Sequence, residues 1–165
     1  MIYGKILTQS QRLALNDLRD ELGWTTSQLD YLIACMAFES NLNPQAVNKT
    51  SKAVGLIQFM PSICKAYGTT SEKMLSLTFE QQLPYVAKHF QPYKHRVQTL
   101  SDMYMAILMP KYIGYDENSR IFKAPSIQYE QNKALDKDNN GYVTKKEATI
   151  YVYDRYQKGL ELQAE

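Results

Sequence analysis

The chain has 165 residues, 44% of them hydrophobic and 22% charged. That is enough apolar side chain for one buried core and too little length for two, so a single domain spanning 1–165 is expected. Lysine and arginine number 19 and aspartate and glutamate 17, and 19 minus 17 leaves +2, too slight a charge to argue for nucleic acid or a membrane surface as partner.

Segment 1–9 lacks the apolar run of a signal peptide, and no window reaches the length of a membrane span, so the expected export route lies outside the chain. Ser10 to Leu22 reads as a first helix closed by Gly23, and Thr25, Thr26 or Ser27 caps the next. In that second helix Leu29, Leu32, Ile33, Met36 and Ala37 share a stripe, and Glu39 extends it, seven residues after Leu32, four after Cys35 and three after Met36. A carboxyl placed beside buried carbon, with the negative end of the helix dipole near Asn41, has its charged form penalised twice. Its pKa rises, and a carboxyl still protonated near neutrality can serve as a general acid.

After Glu39-Ser40 comes a glycine-opened, glutamine-bearing loop, Ser51-Lys52-Ala53-Val54-Gly55-Leu56-Ile57-Gln58-Phe59-Met60-Pro61. Cys35 and Cys64 sit in apolar settings on either side of it; buried free thiols are the default, with a disulfide left open. Thr78-Phe79-Glu80-Gln81 starts another helix through a capping box, and Pro84 should bend it. Lys88, His89, Lys94, His95 and Arg96 read as a solvated helix end and loop, and both histidines as surface residues without metal partners. A further helix begins at Ser101 and carries Tyr104, equally readable as core or as a cleft aromatic, with Tyr112 and Tyr115 as rivals. Tyr112 to Ile127 is the least regular stretch, expected as a loop or short extended segment over a cleft. No strand signal is strong, and the fold class expected is mainly α.

Residues 136–147, Asp-Lys-Asp-Asn-Asn-Gly-Tyr-Val-Thr-Lys-Lys-Glu, carry a second, independent pattern. Asp136, Asp138 and Asn140 fall at positions 1, 3 and 5 of a twelve-residue loop, Gly141 makes the turn at 6, and Tyr142 offers its carbonyl at 7. Thr144 reaches through water at 9, and Glu147 at 12 can give both oxygens. A hard cation needs six to eight oxygens, and alternating residues around a glycine turn supply them. The loop resembles an EF-hand, with calcium as its cofactor and magnesium a poorer fit. The flanking helices are 127–135 and 145–158, the latter with Ile150, Tyr153 and Tyr156 on one apolar side. A lone loop of this kind staples structure rather than signals.

Glu39-Ser40 followed by Gly55-Leu56-Ile57-Gln58-Phe59-Met60-Pro61 resembles the signature of the soluble lytic transglycosylase family, in the version of its phage-encoded members. The likeness is strong over 29–67 and weaker to about Gly114. It implies a lysozyme-like helical fold acting on the glycan strands of bacterial peptidoglycan, as a monomer. Glu39 would then be the catalytic acid and base, with Ser51 and Gln58 orienting the acid or binding sugar, and Tyr104 as the candidate cleft tyrosine. The family's Ala-Tyr-Asn run is missing: Ala106-Ile107-Leu108-Met109-Pro110 stands where it belongs. The alternatives are a hydrolase like goose-type lysozyme and a non-catalytic calcium-dependent wall-binding or virion protein. Without a signal peptide, the routes to the wall are holin release of a phage lysin, carriage in a virion, or delivery as a secretion-system effector.

Overall fold

Six helices begin at a threonine, Thr8, Thr25, Thr70, Thr78, Thr99 and Thr144, whose hydroxyl accepts a backbone N–H from the first turn. Those N–H groups have no partner inside the helix, so the caps fix where each helix starts. Thr8, Thr25, Thr78 and Thr144 add the reciprocal bond, their backbone N–H donating to the side-chain oxygen of Gln11, Gln28, Gln81 and Glu147 respectively. The computed structural model describes residues 1–164. Along them run α1 (Gln9–Leu22), α2 (Thr26–Ser40), α3 (Pro61–Ala66), α4 (Ser71–Leu75), α5 (Phe79–Phe90), α6 (Leu100–Leu108), β1 (Arg120–Lys123), α7 (Ile127–Asn132), β2 (Tyr142–Thr144) and α8 (Lys145–Glu161).

The core is built around α2. Leu29, Leu32, Ile33, Ala34, Cys35, Met36 and Ala37 are all buried, so apolar side chains surround the helix rather than forming one stripe. Helices α1, α6 and α8 pack against it, and α5 packs on α1. Each fully buried Leu or Ile here contributes roughly 1.5–3 kcal/mol of transfer free energy. Trp24 meets Phe90 edge-to-face at 5.5 Å and donates its indole N–H to Lys94 O at 3.0 Å, fastening the start of α2 to the end of α5.

The Tyr112–Ile127 stretch is not only loop. Residues 120–123 pair antiparallel with 142–144, with Phe122 opposite Val143 and Lys123 opposite Tyr142. Ile121, Phe122 and Val143 are buried there. The strand of the acidic loop thus finds its partner in the same chain. A helix start at Ser101 is corrected by one residue, to Leu100, with Thr99 as cap. The buried side of α8 is Lys145, Ala148, Thr149, Val152 and Gly159, whereas Ile150 and Tyr153 are exposed, because the residues facing α2 and α6 lie on the other side of the helix.

His89 is a second correction. Its ring is half-buried, with Nε2 2.8 Å from Ala106 O and Nδ1 3.2 Å from the Tyr67 hydroxyl. Because a carbonyl can only accept, Nε2 carries the proton and Nδ1 accepts from Tyr67. Burial pushes the pKa of His89 down, and the neutral ring ties α5 to α6. His95 is exposed, as expected.

Lys145, the first residue of α8, is 1% exposed and reaches Asp102 Oδ1 on α6 at 2.6 Å and Tyr115 O at 2.9 Å. Asp102 also accepts Gly114 N–H at 2.7 Å. Burial alone would raise the carboxyl of Asp102, but the bonds from Lys145 and Gly114 outweigh it and hold its pKa below the ordinary value. A folded-state pKa below the unfolded one gives stability that is present above the ordinary carboxylate range and lost as pH falls through the depressed value. Lys145→Met strands a buried carboxylate, and a loss of about 3–5 kcal/mol is expected in denaturant titrations at pH 7. The gap between parent and variant should narrow as pH falls from neutrality, because the stranded carboxyl, raised by burial, takes up a proton above the ordinary carboxylate value while the parent's paired one stays ionised.

Candidate active site

Glu39 is the penultimate residue of α2, and Asn41 ends that helix in the left-handed conformation at φ 54°. Ser40, beside it, is buried, with its hydroxyl 2.9 Å from both Met36 O and Leu56 O, so that one proton is shared between the helix and the loop opposite. The loop is a tight double turn. Val54 exchanges backbone bonds with Phe59, N to O at 3.0 Å and N to O in return at 2.7 Å, while Gly55 N–H donates to Ala46 O at 2.9 Å. Gly55 at φ 80° and Gln58 at φ 57° are both left-handed, a conformation that costs glycine little and explains its use at the first.

Glu39, Asn48, Ser51, Gln58 and Met60 line one hollow of about 280 Å³, closed on the far side by Ile107 and Leu108 from the end of α6. The loop supplies its polar side and α6 its apolar one. Burial raises the pKa of Glu39 to about 7, opposed in part by the Tyr104 hydroxyl. A carboxyl at that value is part protonated at neutral pH and can give or take a proton at little cost. Tyr104 is only 5% exposed and packs edge-to-face on Phe38 at 5.6 Å. Burial and the nearby carboxyl of Glu39 push its phenol well above the usual value, so it remains a donor. Cys35, fully buried one turn back, is likewise pushed up by burial and by Glu39, and both cysteines are free thiols.

The sequence-derived candidates divide into two groups in space. Glu39, Ser51 and Gln58 share the hollow; Tyr104 lies behind Glu39 and is not among the residues lining it. Ser51 Oγ accepts from Ala53 N–H at 3.3 Å, and the Gln58 amide nitrogen donates to Gly55 O at 3.0 Å and Ala46 O at 3.4 Å, so both side chains also brace the loop. Tyr112 and Tyr115 pack on each other at 5.1 Å and take no part in the hollow.

In the other group, single oxygens of Asp136, Asp138 and Glu147 lie within 4.8 Å of one another. Asp136 is buried and accepts from the Tyr129 hydroxyl at 2.7 Å and from the Asn140 and Gly141 N–H groups, which together hold its carboxyl below the usual range. Glu147 accepts from Lys137 N–H at 3.0 Å and from Thr144 N–H at 3.1 Å. The Asn140 amide oxygen accepts Tyr142 N–H at 2.9 Å.

A larger hollow of about 380 Å³ lies between the start of α6 and α8, lined by Leu100, Ile150 and Tyr153 with Glu117 and Asp154 at its edge. Glu117 is tied there to Ser101 by a hydrogen bond. Volume does not single out the hollow at Glu39; chemistry does, for a carboxyl there is poised between its two protonation states beside a polar wall. Asn48 carries no local pattern and was not singled out in the sequence, whereas Met60 belongs to the glutamine-bearing loop, and Ile107 and Leu108 stand where the Tyr-Asn pair is expected.

The family model for phage tail lysozyme matches residues 10–110. This chain belongs to that family. The matched span runs from α1 through Glu39, the double turn and α6, so the hollow lies wholly within the lysozyme-like part, and the acidic loop at 136–147 lies beyond it. No curated protein and no solved structure matches the chain. A phage lysozyme fold of this kind implies a peptidoglycan-degrading domain, and the mainly helical architecture agrees with it.

The raised pKa of Glu39 carries a linkage with a definite sign. Folded protein keeps a proton that the unfolded chain releases above its ordinary value of 4.5, so stability falls as pH rises from there to about 7. Glu39→Gln removes that penalty. The variant should be more stable than the parent by about 3 kcal/mol at pH 8 and no more stable at pH 4, as read from urea midpoints. Because the Tyr104 bond favours the ionised form, Tyr104→Phe should move the Glu39 titration upward, observable by carboxyl-carbon NMR.

Proposed function

We propose that this lysozyme-like domain is a lytic transglycosylase, cleaving the β-1,4 bond between N-acetylmuramic acid and N-acetylglucosamine. The observation that carries the reading is Glu39, the single carboxylic acid among the residues lining its hollow, with a pKa of about 7. Glycosidases that use water, or a covalent intermediate, work with two carboxylates set across the bond. One acid suffices when the nucleophile belongs to the substrate. Glu39 protonates the glycosidic oxygen as the bond to the anomeric carbon breaks, and the N-acetylglucosamine side leaves as an alcohol. The carboxylate then takes the proton of the 6-hydroxyl of the same muramoyl sugar while its oxygen closes on the anomeric carbon. A 1,6-anhydro end forms and Glu39 regains its proton. An intramolecular hydroxyl has an effective molarity that can reach about 10⁵ M or more, which stands in for the second carboxylate.

Ser51 and Gln58 are the proposed sugar contacts on the polar wall, and Tyr104 is the donor that steadies Glu39 once it is ionised. The family description, a tail lysozyme, supports a protein carried in the virion at least as well as a lysin released with a holin, and it keeps the muramidase reading in play. Products decide between the two chemistries: digested sacculi should yield anhydro-muramoyl ends by mass spectrometry, whereas reducing ends would make the domain a hydrolase. Glu39→Gln should clear sacculi at least about 100-fold more slowly than the parent. Parent activity should decline as pH rises through about 7, where the acid loses its proton.

For the loop at 136–147 the proposed ligand is calcium, held by Asp136, Asp138, Asn140, the Tyr142 carbonyl and Glu147 as in an EF-hand. The donor set fits a hard cation: three carboxylates converge, Gly141 at φ 84° makes the sharp turn, and Tyr129 fixes Asp136 from behind. Calcium would supply structural stability there, and the sugar chemistry needs no metal. The ion should raise the melting temperature of the parent, with a chelator reversing the effect, and Asp136→Ala should abolish the increase.

A further inference from the structure

Gln82 sits on α5, away from the hollow, and nothing in its local sequence marks it. It is fully buried, and its amide is matched atom for atom to three separate backbone segments. Oε1 accepts Leu56 N–H at 2.9 Å, and Nε2 donates to Pro44 O at 2.7 Å and Met74 O at 3.0 Å. Both N–H groups of the amide are thereby used, one on the turn after α2, the other at the end of α4, while the carbonyl holds the double turn. Gly55 is part of the same fit. A Cβ there would lie 2.6 Å from Gln82 Oε1, so the missing side chain of Gly55 is the space that the amide occupies.

The backbone of Leu56 is consequently held on both sides of its Cα by side chains, its N–H by Gln82 and its carbonyl by Ser40, the neighbour of Glu39. Gln58, on the polar wall of the hollow, follows only two residues later. We propose that Gln82 is a positioning residue of the reaction, fixing the loop wall that receives the glycan at its distance from the acid. This rests on the reading of the hollow as the glycan site. No residue of α5 lines the hollow, so loss of Gln82 reaches the site through the loop wall, and its expected effect is on sugar binding before the proton donor.

The test is steady-state kinetics on purified sacculi for the parent, Gln82→Met and Gln82→Glu between pH 4.5 and 8.5, with amide exchange followed at Leu56. Gln82→Met should raise KM about tenfold, leave kcat within about threefold, and keep the activity midpoint near that of the parent, since a small misplacement of a binding wall is costly. Gln82→Glu should approach the parent KM at low pH, where the protonated acid offers one acceptor and one donor, and lose it as the buried carboxyl ionises. The Leu56 amide should exchange slowly in the parent and faster in Gln82→Met. An unchanged KM in both variants overturns the proposal, as does a fall in melting temperature with no change in KM. Should Gln82→Met not fold, the pH series of Gln82→Glu and the parent's Leu56 protection decide, and a KM independent of pH or a fast-exchanging amide overturns it. A parent that leaves sacculi intact fails the glycan reading itself, and this proposal with it; an active parent with indifferent variants fails this proposal alone.

Discussion

Enclosure of α2 on all sides is the constraint from which the rest follows. A helix wrapped in apolar side chains leaves its last turn in a low-dielectric setting, and Glu39 sits in that turn with one wall of its surroundings open. The carboxyl is therefore kept between protonation states by position rather than by a charged neighbour. A group balanced in this way suits the proton transfer proposed for it, and its ionised form costs the fold stability. Tyr104 tempers the effect: its hydroxyl favours the ionised form, so the acid returns its proton readily instead of being locked neutral.

Around this centre the chain uses side-chain-to-backbone bonds to seat loops that have little regular structure of their own. Ser40 and Gln82 hold the double turn from the two sides of one residue, Leu56, Gln28 ties the start of α2 to Val97 O, and His89 links α5 to α6. Each such group is buried or half-buried and hydrogen-bonded, and among the described residues no buried side-chain nitrogen or oxygen lacks a partner. Short segments gain in this way the rigidity that a sheet would otherwise give, and the hollow keeps a polar wall at fixed distance from an apolar one.

The part beyond residue 110 attaches to the lysozyme-like part through α6 and α2. Lys145 reaches Asp102 on α6, and Tyr151 of α8 lies parallel to Phe38 at 6.5 Å, one residue before Glu39. Lys137, from the acidic loop, stands over the Tyr151 ring. The acidic loop and the acid are thus joined by packed aromatic side chains, two of which, Phe38 and Tyr104, also shield Glu39.

Much of this was legible in the sequence. Threonine caps and a glycine stop marked the helices, the spacing from Leu32, Cys35 and Met36 put Glu39 on the inward side, and the order of acids around Gly141 pointed to the cluster they form, because all of these depend on neighbours within a few residues. Other features needed coordinates. His89 looked solvated amid basic residues, Ile150 and Tyr153 looked like a buried face, and nothing distinguished Gln82 or the Lys145–Asp102 pair. Their partners lie 8 to 43 positions away along the chain. The sequence by itself determined the helices, the acid and the loop of carboxylates. Only tertiary packing decided which groups face the acid and what fixes the wall opposite, since a hydrogen bond between distant segments leaves no periodic trace in either.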